Sequence, residues 1–142
     1  MLIQKNLKAR IDSCKNILHI DDDPDDHEIF YCALKEVSSA ICYKAFTNAQ
    51  EALDKLAKNE LTPDVIFLDL NMPGMNGQQF LVEIKKHEKL CMIPVIVLST
   101  TSHTFTIKSV KDLGAHDFIT KPGDFYEFSR ILSSLLPCLN IE

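Results

Sequence analysis

The stretch Pro63-Asp64-Val65-Ile66-Phe67-Leu68-Asp69 decides the architecture. Four consecutive apolar residues, opened by Pro-Asp and closed by an acid, read as a strand buried on both faces; a half-exposed strand would alternate instead. Outward from it the pattern recurs. Ile17 to Ile20 runs into a cluster of acids. Ile41 to Phe46 is a second strand candidate, Pro94 opens a fourth at Val95 to Leu98, and His116 to Ile119 is a short fifth, broken by Lys121-Pro122-Gly123. Between them, apolar residues fall at helical spacing: Ile29, Phe30, Ala33, Leu34 and Val37; Ala52, Leu53 and Leu56, behind Asn48 in a capping-box-like relation to Glu51; Phe80, Leu81 and Ile84; Ile107, Val110 and Leu113, closed by Gly114; and Phe125, Phe128, Leu132 and Leu135. Five strand-then-helix units with short, doubly buried strands predict an α/β fold: a five-stranded parallel sheet, doubly wound, with helices on both faces.

The chain has 142 residues, enough for one domain with its own core, and residues 1–15 read as an N-terminal extension to a domain over 16–142. Apolar residues make up 46% and charged residues 25%, which argues against disorder. No apolar run is long enough to cross a membrane, and residues 1–16 carry Lys5, Lys8, Arg10 and Lys15 without the apolar stretch of a secretory signal. The five cysteines, Cys14, Cys32, Cys42, Cys91 and Cys138, are odd in number and none forms a Cys-x-x-Cys pair. They are expected to be reduced thiols in a cytoplasmic protein, with no zinc site. The net charge of −5 is local: Asp21, Asp22, Asp23, Asp25, Asp26 and Glu28 place six acids within eight positions, and the remaining charged residues sum to +1. This is a nearly neutral domain with one acidic spot and no basic nucleic-acid footprint.

Doubly wound sheets carry their sites outside the carboxyl ends of the strands. At those ends stand Asp21 and Asp22, Asp69, Ser99 and Lys121. Three crowded carboxylates repel one another unless something compensates them. A hard divalent cation with oxygen ligands, such as Mg²⁺, supplies that compensation; with no cysteine or histidine pair expected nearby, a softer ion is not favoured. A metal together with a lysine is a common means of neutralising a phosphoryl group, and a carboxylate can itself act as the nucleophile. Each residue also has a plainer local reading. Asp23, Asp25 and Asp26 suit the cap and first turn of a helix begun by Pro24. Asp69 could simply end a strand, Lys121 could be a solvated lysine, and Ser99 to Ser102 could cap the next helix. The register of these residues against the strand ends favours the joint reading.

In combination, Ile-Leu-His-Ile-Asp-Asp-Asp-Pro (17–24), Pro-Asp-Val-Ile-Phe-Leu-Asp-Leu-Asn-Met-Pro-Gly-Met-Asn-Gly (63–77), Ile-Pro-Val-Ile-Val-Leu-Ser-Thr (93–100) and Leu-Gly-Ala-His-Asp-Phe-Ile-Thr-Lys-Pro (113–122) resemble the receiver domain of two-component response regulators over roughly Asn16 to Leu136. The resemblance implies a flavodoxin-like fold and a single-domain regulator of the kind served by phytochrome-type kinases. It implies that Asp69 accepts a phosphoryl group from a sensor histidine kinase or a histidine phosphotransfer protein. Asp22 would ligate Mg²⁺ directly and Asp21 through water, with Asp69 and the backbone carbonyl of Asn71 completing the set. Ser99 would be the switch hydroxyl and Lys121 the phosphoryl-pairing cation. The Lys121–Pro122 peptide would often be cis. Phe118 would be the aromatic switch residue, though a plain core phenylalanine fits equally well there. Asn71 and Thr101 would tune the lifetime of the phosphoryl group. Such a protein catalyses only its own phosphorylation and dephosphorylation, and acts on an unknown downstream protein target rather than on nucleic acid or membrane.

Two other classes compete. A Mg²⁺-dependent phosphatase with an aspartyl nucleophile would want an acid/base residue two positions after Asp69, where this chain has Asn71. A phosphorylation-independent interaction module would not need the full set of acids, Ser99 and Lys121.

Overall fold

The computed structural model describes residues 16–100 and 103–139, with side chains described as far as Leu135. The expected extension over residues 1–15, and Thr101, lie outside the described residues. The elements run β1 (Asn16–Ile20), α1 (Pro24–Val37), β2 (Cys42–Phe46), α2 (Ala49–Ala57), β3 (Val65–Asp69), α3 (Gly77–Lys86), a 3₁₀ turn (Leu90–Met92), β4 (Val95–Ser99), α4 (Thr104–Asp112), β5 (Asp117–Thr120) and α5 (Phe125–Leu139). The strands form one sheet in the order β2-β1-β3-β4-β5, and every pairing is parallel. The strand order reverses at β1, which places a crevice between the carboxyl ends of β1 and β3.

Alternation along the strands sorts the core into two layers. Leu18, Ile20, Ile66, Leu68, Val95 and Val97 face α2, α3 and α4. Ile17, Val65, Phe67, Ile96 and Leu98 face α1 and α5, where Phe30 packs edge-to-face on Phe67 and Phe128 at ring-centroid distances of 4.9 and 5.3 Å. Burial on both faces holds for β3, β4 and all of β1 beyond Asn16. It does not hold for β2 or β5, whose residues are half-buried or exposed. These are the edge strands, with a neighbour on one side only, so the expectation of double burial is corrected there.

The helix starts follow their local chemistry. The Asp23 side chain accepts from Asp25 N at 2.9 Å and caps α1, with Pro24 in its first turn. Asn48 accepts from Glu51 N at 2.8 Å and caps α2. The reciprocal capping box lies instead at α3, where Asn76 and Gln79 exchange side-chain bonds of 2.9 Å. The cap position of α4 is His103, whose side chain makes no capping hydrogen bond, and Ser99 lies four positions before it. Ser99 and Asp69 are the last residues of their own strands.

Candidate functional site

Asp21 follows β1 directly. Its backbone N–H donates to the Phe46 carbonyl at 3.0 Å, its side-chain Oδ1 accepts from Asp23 N at 3.0 Å, and it is fully buried. Asp69 closes β3, buried, with Oδ1 accepting from Asn71 N at 3.4 Å. Asp22 is exposed at the mouth. Asp21, Asp22 and Asp69 each offer an oxygen, all lying within 4.8 Å of one another. Lys121 reaches this cluster because its backbone N–H donates to the Ser99 carbonyl at 2.8 Å, which extends the β4–β5 pairing beyond Thr120. Its Nζ lies 3.0 Å from Asp21 Oδ2 and 3.6 Å from Asp69 Oδ1. Ser99 is fully buried at the end of β4, one position past Leu98, the register partner of Asp69. Gly77 lets α3 start against the strand end: a Cβ there would lie 2.7 Å from the Asp69 carbonyl oxygen and 2.8 Å from Leu70 Cα, both backbone atoms.

Burial drives the titration of these groups. It raises the Asp21 carboxyl to about 6, against the opposing bond from Asp23 N and the Lys121 ammonium. Burial likewise raises Asp69, opposed by the charge of Lys121. Burial disfavours the Lys121 charge, but hydrogen bonds to Asp26 and Asp21 overcome it and hold the ammonium above the ordinary lysine range. The pocket therefore keeps its cation firmly and its carboxylates with difficulty, a balance that a second cation would improve.

Two findings go beyond the sequence reading. Asp26, assigned above to the first turn of α1, also accepts from Lys121 Nζ at 2.8 Å, shorter than the contacts from that ammonium to Asp21 and Asp69. The expectation of no histidine pair near the acids is also corrected. His19 is buried on β1, stacked on Phe30 at 4.4 Å, with Nδ1 2.8 Å from the Tyr43 hydroxyl and Nε2 3.8 Å from Asp21 Oδ2. His27 Nε2 lies 2.6 Å from the Asp21 carbonyl. Helical phase carried a signal for both Asp26 and His27. Phe30 and Leu34 are buried, and residues four and three before Phe30 lie on the same inward stripe of α1. Both imidazoles have other partners, and neither belongs to the carboxylate cluster; the donor set there is all oxygen and suits a hard cation.

Of the remaining expectations, Phe118 is half-buried and packs against the core layer that faces α4. The Asn71 side chain is exposed in the β3–α3 loop. No peptide bond among the described residues is cis, so Lys121–Pro122 is trans, the form a prolyl bond prefers by about 0.5–1 kcal/mol. Cys32, Cys42 and Cys91 are free thiols, and no described helix is long and apolar enough to cross a membrane.

The profile of the response regulator receiver domain matches residues 17–133. The chain belongs to that family. The structure of the phosphorylated cyanobacterial phytochrome response regulator RcpA superposes with a TM-score of 0.79 at 30% identity, covering 87% of this chain and 91% of that one. The Mn²⁺-bound response regulator Rcp1 gives 0.73 at 26% identity, covering 85% and 91%. The transcriptional regulatory protein MalR of Bacillus subtilis is 32% identical over 118 residues, 83% of this receiver but 48% of MalR, so the chain spans about half the length of that relative. These likenesses fit the five-stranded parallel sheet and its strand-end acids.

Proposed function

We propose that this receiver takes a phosphoryl group from a sensor histidine kinase or histidine phosphotransfer protein onto Asp69, with Mg²⁺ held by Asp21, Asp22, Asp69 and the backbone carbonyl of Asn71. The observation that carries the reading is the convergence of three carboxylates and the Lys121 ammonium on one strand-end pocket, with Lys121 Nζ 3.6 Å from Asp69. An Asp69 carboxylate oxygen attacks the phosphorus, the P–N bond to the donor imidazole breaks, and its electron pair returns to the imidazole nitrogen. When bound, Mg²⁺ neutralises the crowded carboxylates and the phosphoryl oxygens. Lys121 donates to a phosphoryl oxygen and keeps Asp69 ionised against its burial. Ser99 donates its hydroxyl to another phosphoryl oxygen, and Phe118 repacks with the α4 face as the bound state forms. The acyl phosphate adds about −1.5 to −2 charge, enough to shift a two-state face toward or away from a downstream protein target. Asn71 and Thr101 set the lifetime of the phosphoryl group. The protein turns over no separate metabolite and works where its thiols stay reduced, in the cytoplasm. The phosphorylated state of RcpA and the Mn²⁺ in Rcp1 support this reading by similarity.

Purified protein incubated with Mg²⁺ and radiolabelled acetyl phosphate tests it. Label should appear on wild type and vanish in Asp69→Asn and in excess chelator. Equal labelling of Asp69→Asn would sink the proposal.

A further inference from the structure

Lys121 is engaged before any phosphoryl group arrives. An ammonium has three N–H donors. Two of them point at Asp26 Oδ2, 2.8 Å away, and Asp21 Oδ2, 3.0 Å away, whereas Asp69 Oδ1 lies beyond hydrogen-bond distance at 3.6 Å. The two close partners differ in what they can do. Asp21 is fully buried and anchored through both its backbone and its Oδ1. Asp26 stands on the first turn of α1 with 32% of its side chain exposed, so water can replace the ammonium when the pair opens. Asp25, on the same turn, is exposed and donates its backbone N–H to the Asp23 cap; among the described contacts it has none to Lys121.

We propose that Asp26 is a positioning residue, a latch that holds the Lys121 ammonium on the α1 side of the pocket until an incoming phosphoryl group draws it toward Asp69. This rests on the reading of Asp69 as phosphoacceptor. The pairing of Lys121 with the acids at the ends of β1 and β3 belongs to the described site; the α1 partner is an addition to it. As a first-turn anion Asp26 also suits the helix dipole, but Asp25 does so equally, and only Asp26 points inward. The latch opposes phosphorylation, because the ammonium must leave one carboxylate before it can stabilise charge developing on the phosphoryl oxygens.

The experiment compares wild type, Asp26→Asn and Asp25→Asn for the initial rate of Asp69 labelling by acetyl phosphate at saturating Mg²⁺. Either variant removes one negative charge from the same helical turn, so a general effect on an anionic donor is common to both. The latch predicts that Asp26→Asn labels about fivefold faster than Asp25→Asn, the worth of a partly exposed ion pair. Equal rates, or a slower Asp26→Asn, overturn the latch and leave the phosphoacceptor reading intact; an unlabelled wild type overturns that reading itself. The Lys121 Nζ resonance of unphosphorylated protein is a second readout, independent of turnover. In Asp26→Asn it should move toward its position in beryllofluoride-treated wild type. A resonance that stays at its wild-type position overturns the latch.

Discussion

α1 and α4 pack on opposite faces of the sheet and are held in opposite ways. α1 begins with a side-chain cap from Asp23 and Pro24 in its first turn, then buries Phe30, Ala33 and Leu34 against β1, β3 and α5. α4 has no side-chain cap, buries Val110 alone and leaves Phe105 84% exposed. The helix that supplies Asp26 to Lys121 is fixed to the sheet. The helix that follows Ser99 is attached by little. An element with few buried apolar contacts opens at low free energy, and such elements are the ones that move when a ligand arrives. The receiver thus combines a rigid cation side with a side that is cheap to shift.

The largest test of that division removes one buried side chain from each helix. Phe30→Ala leaves a cavity among Phe67, Phe128, Tyr43 and His19 and should lower the unfolding free energy by about 3–5 kcal/mol. Val110→Ala should cost roughly 1–2 kcal/mol, since it deletes fewer atoms from a helix with no other buried anchor. Denaturant titration of both variants measures the difference. Equal losses would erase the distinction between the two helices. Hydrogen exchange sharpens it: α4 amides should exchange through local opening, and α1 amides only near global unfolding.

The same contrast explains what was legible beforehand. Runs such as Val65–Leu68 and Val95–Leu98 announce interior strands because both faces are covered, and the acids and lysine at their ends follow from topology. The exposure of β2 and β5 was not legible from their own composition, since strand order decides which strands lie at an edge. Asp26 was hidden by a sufficient local reason. A first-turn acid beside a capping acid needs no other explanation, and its partner is 95 residues away in the chain. His19 was hidden because a strand buried on both faces shows no alternation to mark which way a polar residue points. Nothing in Ile17-Leu18-His19-Ile20 says that His19 will meet Tyr43 and Asp21.

The rigid side also carries the main pH sensitivity. Burial, with the charges of His27 and Lys121, lowers His19 to about 3 from an ordinary 6.5. Between those values the unfolded chain binds a proton that the folded chain refuses, so stability is lost as pH falls through this window. Asp21, raised by burial to about 6, acts with the opposite sign: the folded state holds a proton there that the unfolded state has released, and acidification favours the fold. Asp69, also raised, adds to that second limb. In His19→Leu only the carboxyl limb remains. Relative to wild type, the variant should gain about 1.4 kcal/mol per pH unit below about pH 6.5, or roughly 2 kcal/mol by pH 5. Denaturant unfolding in chelator at pH 7 and pH 5 measures it. A constant offset between the two proteins would mean that His19 is protonated in the folded state as readily as in the unfolded one.

The smallest expected effect is the most direct comparison, because it places the same side chain on the two helices. Phe30 and Phe105 are both helical phenylalanines, one fully buried and the other 84% exposed. Apolar stabilisation scales with area removed from water, so a side chain that stays in water contributes little on folding. Phe105→Ser should therefore change stability by less than about 0.5 kcal/mol, an order of magnitude below Phe30→Ala. Its rate of labelling by acetyl phosphate should match wild type, since Phe105 is remote in sequence from the acids and Lys121 and touches none of them among the described contacts. A loss above about 1 kcal/mol would show that Phe105 is packed in solution and that α4 is anchored by more than Val110. The cheap-to-move side of the receiver would then have to be sought elsewhere.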